Sequence, residues 1–377
     1  MGKQKVTCTV STVQQVIETM APARLSPHWD NPGLQVGDPH APVRRILTCL
    51  ELTRPVLAEA ARRRVDLIVA HHPLIFKPLN RLDLSDPIGE LVGGLATRGI
   101  ALLAAHMNLD TAAWGTNTVL CEACGLEPAE SIEPDLGEPQ YKFVVFVPEG
   151  HENLMIEAIH NAGGGRIGAY DHCTFRTPGI GTFRPGEGAE PYLGETGRLE
   201  QAREVRLETI VTADRRGALV RAARKAHPYE EMAYDLYPID SPPTGHGLGR
   251  MAYLDQPATA EELGQHLKQR LGLQVVRLAG PAGKRVRRVA VCSGGAGDMI
   301  RTVASSPAEA FITGELKHHQ ALEAHARGLP VIELGHYETE VLVAAPLAER
   351  LATTDALASA GVQVVHARRH LRPFRYL

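Results

Sequence analysis

Residues 65–80 read VDLIVAHHPLIFKPLN. Val65, Leu67, Ile68 and Val69 make a short apolar run with the length and β-branched character of a buried strand. The run stops at His71-His72-Pro73. Proline pushes the residue before it into an extended conformation, so His72 leaves the strand end in a fixed direction. Adjacent imidazoles at the mouth of a buried strand are poor core filler and good ligands, because neutral His nitrogen is the commonest protein ligand for zinc-class metals. In open α/β sheets, ligands bind outside the carboxyl ends of the strands. The stretch therefore predicts an α/β fold with its chemistry gathered where strands end.

Working outward, residues 44–52 read as a strand and 55–64 as a helix, with Pro55 near the helix start where its missing N–H matters least. With the strand before His71 they form a β-α-β unit, whose right-handed crossover makes the strands parallel. A helix over 89–98 and a buried strand over 100–105 follow, running into His106 and Asp110. A parallel sheet would bring Asp110 close to His71 and His72. Residues 114–124 read as a helix closed by Gly125. Upstream, 12–19 read as an amphipathic helix and 28–38 (HWDNPGLQVGD) as a turn-rich loop.

The character changes after a Pro-, Glu- and Gly-rich linker at 127–140. A strand at 141–148, a helix at 151–162, a turn-dense run at 169–188, a strand at 203–212, a helix at 215–226 and a strand at 233–237 fit a ferredoxin-like α+β domain. His227-Pro228-Tyr229-Glu230-Glu231 reads as packing between helix and strand. After a second linker at 242–245 the first pattern resumes. Helices are expected at 261–271, from 298, at 316–326 and at 339–351, and strands at 287–292, 310–313, 330–334 and 362–365. The expected architecture is α/β: two similar halves forming one core domain with mostly parallel sheets (1–132 and 247–377), interrupted by an inserted domain (133–246).

Polar residues recur at the strand ends: His71-His72, Asp110, Glu315 and His336. A helix starting near His336 places Glu340 one turn on, on the same face. The candidate metal ligands are therefore His71, His72, Asp110, His336 and Glu340. This mixed nitrogen and oxygen set suits Zn, Fe, Mn or Ni, and it lacks the thiolates of a closed structural site. Glu315 is a candidate general base or, equally, a helix-start carboxylate favoured by the macrodipole. His318 and His319 sit in the first turn of their helix, and at least one of them reads as solvated or hydrogen-bonded. Ser293-Gly294-Gly295-Ala296-Gly297 lacks phosphate-loop spacing and reads as a tight turn.

Composition excludes several classes. The chain has 377 residues, 44% hydrophobic and 22% charged, and a formal net charge of -3. That argues against a nucleic-acid partner. No apolar run approaches membrane-spanning length. The first residues lack the apolar core of a signal peptide, and Val6 breaks the myristoylation pattern, so a cytoplasmic location is expected. The six cysteines are scattered, which fits a reducing compartment. Cys121 and Cys124 read as one helix face.

Taken together, HWDNPGLQVGD, AHHPLIFKPL, AAHMNLDTA, FITGELKHHQAL and GHYETE resemble the dinuclear metal-centre family of type 2 homologues of GTP cyclohydrolase I, also called Nif-three-like. RIGAYDHCTF, GTFRP and HPYEEMAYD resemble the inserted CutA/PII-like domain of its longer bacterial members. The resemblance implies two divalent metals, zinc foremost, on His71, His72, Asp110, His336 and Glu340, with His106 and Glu315 lining the cavity. It also implies a homohexameric ring with the metal sites facing inward. The activity implied is hydrolytic: opening of a purine nucleotide's imidazole ring by metal-bound hydroxide. The alternative is a non-catalytic, metal-organised ring that senses a small molecule through its insert. The sequence departs from the family at Gln320, Tyr337, Glu338 and Glu51, none of which is expected to touch a ligand; Gln320 is where tuning of the site could change.

Overall fold

The computed structural model describes residues 8–135, 137–240 and 243–377. Val6 and the leader reading, and Pro242 of the second linker, lie outside the described residues. The chain forms two compact units, Met1–Asp135 with Gly245–Leu377, and Leu136–Thr244.

The first unit is built on two sheets. One is five-stranded, in the order Gly33–Val36, Ala101–Ala104, Leu67–Ala70, Arg45–Cys49, Gln363–His366. Its Gly33–Val36 edge is antiparallel and its other pairings are parallel. Successive side chains go to opposite faces: Leu67 and Val69 join one core cluster, Ile68 and Ala70 another. Such two-sided burial explains why these strands read as unbroken apolar runs. Leu67 is fully buried; truncating it to alanine costs about 2–5 kcal/mol.

The second sheet is six-stranded, in the order Arg277–Ala279, Val331–Glu333, Ala310–Thr313, Arg285–Cys292, Arg250–Thr259, Glu127–Pro128. Only its central pairings, Arg285–Cys292 with Ala310–Thr313 and Ala310–Thr313 with Val331–Glu333, are parallel; the rest are antiparallel. The expectation of mostly parallel sheets is thus corrected to mixed sheets. The antiparallel strands are short or half-exposed and lack the apolar density that marks a buried parallel strand.

The halves exchange strands at their borders. Glu127–Pro128 joins the second sheet and Gln363–His366 joins the first. The helix Thr116–Cys124 lies between them, with Val119 in the core of the first half and Leu120, Cys121 and Cys124 in that of the second. Burial pushes the Cys124 thiol up to about 12 and raises Cys121 as well. Both are inert core residues, and all six cysteines are free.

The second unit runs β-α-β-β-α-β, its sheet ordered Tyr234–Ile239, Gln140–Pro148, Glu200–Thr212, Phe175–Phe183. All its pairings are antiparallel. The strand Phe175–Phe183 falls in a run that reads as turns. It is an exposed edge carrying a proline and glycines, held by its ladder to Glu200–Thr212, so burial leaves no apolar pattern there. Among the described residues no helix is long and apolar enough to cross a membrane.

Candidate metal centre

His71 continues the ladder of its strand, donating its amide to Cys49 O at 3.0 Å, while His72 donates to Leu50 O at 2.8 Å. His71 is fully buried. Its Nδ1 faces Ala105 O at 2.8 Å, which makes Nδ1 a donor and leaves Nε2 as the nitrogen that can take up a proton or a metal ion; burial opposes the cation there, but Asp110 and Glu340 raise the pKa. That Nε2 is buried without a hydrogen-bond partner, 3.6 Å from Asp110 Oδ1 and 3.9 Å from Glu340 Oε1.

Asp110 comes from the short helix Met107–Thr111, where the 100–105 strand ends. Thr116 Oγ1 donates to its Oδ1, and Asn117 Nδ2 donates to its main-chain carbonyl at 2.8 Å. Asn117 Oδ1 in turn accepts from Ser293 N at 2.8 Å, tying this half to the glycine-rich turn of the other.

Glu340 ends the helix His336–Glu340. From here the chain leaves the second sheet, and its next helix, Ala344–Ala352, packs Leu347 and Leu351 into the first half's core. The crossing sets the Glu340 carboxylate between the halves. Oε2 accepts from His72 Nε2 at 2.9 Å and lies 3.0 Å from His336 Nε2, while Oε1 faces His71. A Cβ added to Gly294 would stand 2.1 Å from Glu340 Oε1, so the turn read as merely tight is also a cradle for this carboxylate.

The far nitrogens of the outer histidines meet carboxylates as well. His72 Nδ1 lies 3.3 Å from Glu51 Oε2, and His336 Nδ1 lies 3.0 Å from Glu315 Oε2. The expectation that Glu51 touches no ligand is therefore wrong. Glu51 stands two residues past its strand end, as His72 does past the next, so the same criterion applied one strand earlier finds it. Asp30, in the loop before Gly33–Val36, accepts from His106 Nδ1 at 2.6 Å and from the Met107 amide at 3.1 Å. The His106 ring stands 5.4 Å from that of His71 and 5.6 Å from that of His72. Gln320 does not reach the cluster: it bonds Asp298 Oδ1 and the Lys317 amide. His318 and His319 are exposed.

Burial works against the cation at His72, but hydrogen bonds to Glu340 and Glu51 outweigh it and hold the pKa up to about 10. At His336 the bond to Glu340 leads, opposed by burial, and the pKa rises to about 9. Burial alone would raise Glu340, yet His336, His71 and His72 together hold it well below the carboxylate range. Asp110 is raised, chiefly by burial. Protons thus sit where an interior cation would be stabilised. Three overlapping sets have ligand atoms spaced to hold a metal ion: His71, Asp110 and Glu340; His72, His336 and Glu340; and His71, His72 and His106. The side chains do not meet at the rim of one parallel sheet, as the strand-end argument supposes. They meet between two sheets, three from one and two from the other.

A two-sheet α/β unit enclosing a histidine and carboxylate cluster that could hold metal is the class defined by this fold and site. The chain belongs to the DUF34/NIF3 (NGG1p interacting factor 3) family, whose model matches residues 8–373. It is 38% identical over 328 residues to the GTP cyclohydrolase 1 type 2 homolog of Bacillus subtilis, covering 87% of this chain and 88% of that one. The homolog of the same name from Halalkalibacterium halodurans is 35% identical, covering 97% and 98%. Among solved structures, a Bacillus cereus protein related to NIF3 is 34% identical with TM-score 0.70, each chain fully covered. Staphylococcus aureus protein SA1388 is 26% identical with TM-score 0.79, covering 98% and 99%.

Proposed function

We propose that the cluster is a dinuclear metal centre and the chain a metal-dependent hydrolase. The observation that carries this is His71 Nε2, a buried ring nitrogen with no hydrogen-bond partner, facing two buried carboxylates. His71 and Asp110 would hold one ion, His72 and His336 the other, with Glu340 shared between them. Zinc is the first candidate for this donor set, and Fe, Mn and Ni fit the same ligands. Bound there, divalent ions supply Lewis acidity and acidify water.

The chain's own residues have separable tasks. Ala105 O fixes the tautomer of His71. Glu51 and Glu315 orient the outer imidazoles. Glu315, half-exposed at the open side, is placed to accept a proton from a substrate or water. His106, oriented by Asp30, lines the cavity. A cleft of about 570 Å3 leads to His72 and His336 past Tyr337, Phe374 and Tyr376, which suits a flat ring. The relatives' name supports a purine nucleotide opened at its imidazole ring.

Incubating the protein with GTP under Zn, Mn, Fe and Ni, with His71→Ala as control, tests this form. GTP left intact under every metal rejects the cyclohydrolase; turnover of a phosphoester or another amidine retains only the hydrolase class. The family resemblance also supports a homohexameric ring, which light scattering on the purified protein checks. A second reading, a metal-organised ring sensing a ligand through a CutA/PII-like insert (133–246) in a split core (1–132 and 247–377), is favoured by the insert's separate core. The chain leaves and returns on paired segments, Glu133–Pro134 and Gly247–Leu248, so residues 141–241 can be deleted. A hydrolase keeps its chemistry; a sensor loses its ligand response.

A further inference from the structure

The unit Leu136–Thr244 has a cleft of about 420 Å3 lined by Phe146, Phe183, Tyr192, Tyr229 and Glu204, a size typical of small-ligand sites. The Phe183 and Tyr192 rings lie 6.2 and 6.1 Å from that of Tyr229. Glu204 is only 9% exposed. Its carboxylate lies against Gly181, where an added Cβ would stand 2.2 Å from Oε2. The neighbouring strand thus leaves room for this side chain by having none of its own.

Among the described residues Glu204 makes no ion pair; nearby Arg206 is taken by Glu208 at 2.7 Å. His227 is no counter-ion either. Its Nε2 donates to Phe146 O at 2.8 Å and its Nδ1 accepts from the Tyr229 amide at 3.1 Å, which leaves a neutral ring, and burial lowers its pKa. The Tyr229 hydroxyl is buried with no hydrogen bond of good geometry, and burial together with the nearby Glu204 carboxylate raises its pKa. Arg184, Glu230 and Glu231 also line the cleft; the Glu230 carboxylate accepts from the Glu190 amide, and Arg184 makes no ion pair with Glu204. A buried carboxylate lacking a counter-charge is costly, and aromatic faces attract cations.

We propose that this cleft binds a small organic cation bearing N–H donors, a primary ammonium or a guanidinium. The charged head meets Glu204 and the Tyr229 hydroxyl, and the carbon body lies against the rings. A quaternary ammonium would satisfy the rings and give the Glu204 carboxylate no N–H donor. The motif His227–Glu231, expected to serve packing, contributes a wall of the cleft. The inference is independent of the metal cluster and stands or falls separately from it.

Titration calorimetry on the full chain with agmatine and with phenethylammonium tests it, with tetramethylammonium and 3-phenylpropionate as controls. Saturable binding of at least one N–H cation is expected, with no binding of the carboxylate. Glu204→Gln should weaken it about tenfold or more, as loss of a charge-assisted hydrogen bond does, and Tyr229→Phe should weaken it less. Without amine, Glu204→Gln should melt no lower than the wild type, because it removes a lone buried charge. Failure of both amines to bind, unchanged affinity in Glu204→Gln, or tetramethylammonium binding as tightly as the amines would overturn the proposal. So would a lower melting temperature for Glu204→Gln.

Discussion

At the inner end of the cluster, His71 is fully buried and hydrogen-bonded to a main-chain carbonyl, and Asp110 is held by Thr116. At the outer end, the His336 side chain is 41% exposed and His72 27%, and each is backed by a carboxylate, Glu315 or Glu51. Neutral backing groups fix geometry without adding charge. Carboxylate backing makes an imidazole more basic and can rearrange with solvent. The inner end is therefore built for permanence and the outer end for exchange, with Glu340 belonging to both.

Glu340→Ala should have the largest effect. In the proposed dinuclear centre it removes the carboxylate common to both ends, so metal content after saturation and desalting should fall to well under half of wild type. A variant that still held one ion tightly would break the idea of a shared carboxylate. Next, His336→Ala should lose only the more readily chelated ion, whereas His71→Ala should lose the slowly exchanging one. Chelator-release kinetics distinguish them, and identical kinetics would erase the contrast between the two ends.

A smaller effect is expected from the backing carboxylates. Glu51→Gln and Glu315→Gln should each weaken outer-end affinity by roughly 10–100-fold, measured by competition with a chromophoric chelator, and leave the inner end unchanged. Proton linkage sharpens the same contrast. With His72 held up to about 10 and His336 to about 9, metal uptake at pH 7 should release roughly two protons per chain, read from calorimetry in buffers of different ionisation enthalpy. The raised histidine values also set a sign for the metal-free protein. Their stabilisation is fully present below the ordinary histidine value and is lost as pH rises through 9 to 10. The metal-free melting temperature should therefore fall between pH 7 and 10, and less so in the metal-loaded protein. Least of all, Gln320→Glu should leave metal affinity unchanged, since Gln320 bonds Asp298 and the Lys317 amide rather than the cluster.

Much of this was legible in the chain. The apolar runs before His71-His72 and before His106 read as buried strands because both of their faces are covered, and the residues after them read as ligands because proline and short helices aim them locally. Glu340 was found because one helical turn after His336 is enough to align two side chains. Glu51 was passed over, although it too follows a strand end, because a lone carboxylate there is indistinguishable from a solvated one. Gly294 gave only a turn signal; that its missing side chain makes room for Glu340 depends on a segment 46 positions on. The strand Phe175–Phe183 left little pattern because it is an exposed edge held by its ladder, and Arg250–Thr259 because only its first three residues are buried.

Local sequence thus sufficed to select the residue types at the site and the direction in which each leaves its strand or helix, because φ/ψ restriction and side-chain periodicity act over a few residues. Which strand ends face one another was settled by the assembled fold. Two mixed sheets exchange border strands and enclose the cluster between them, an arrangement set by long-range pairing and by the shared burial of Thr116–Cys124, neither of which any short stretch encodes alone.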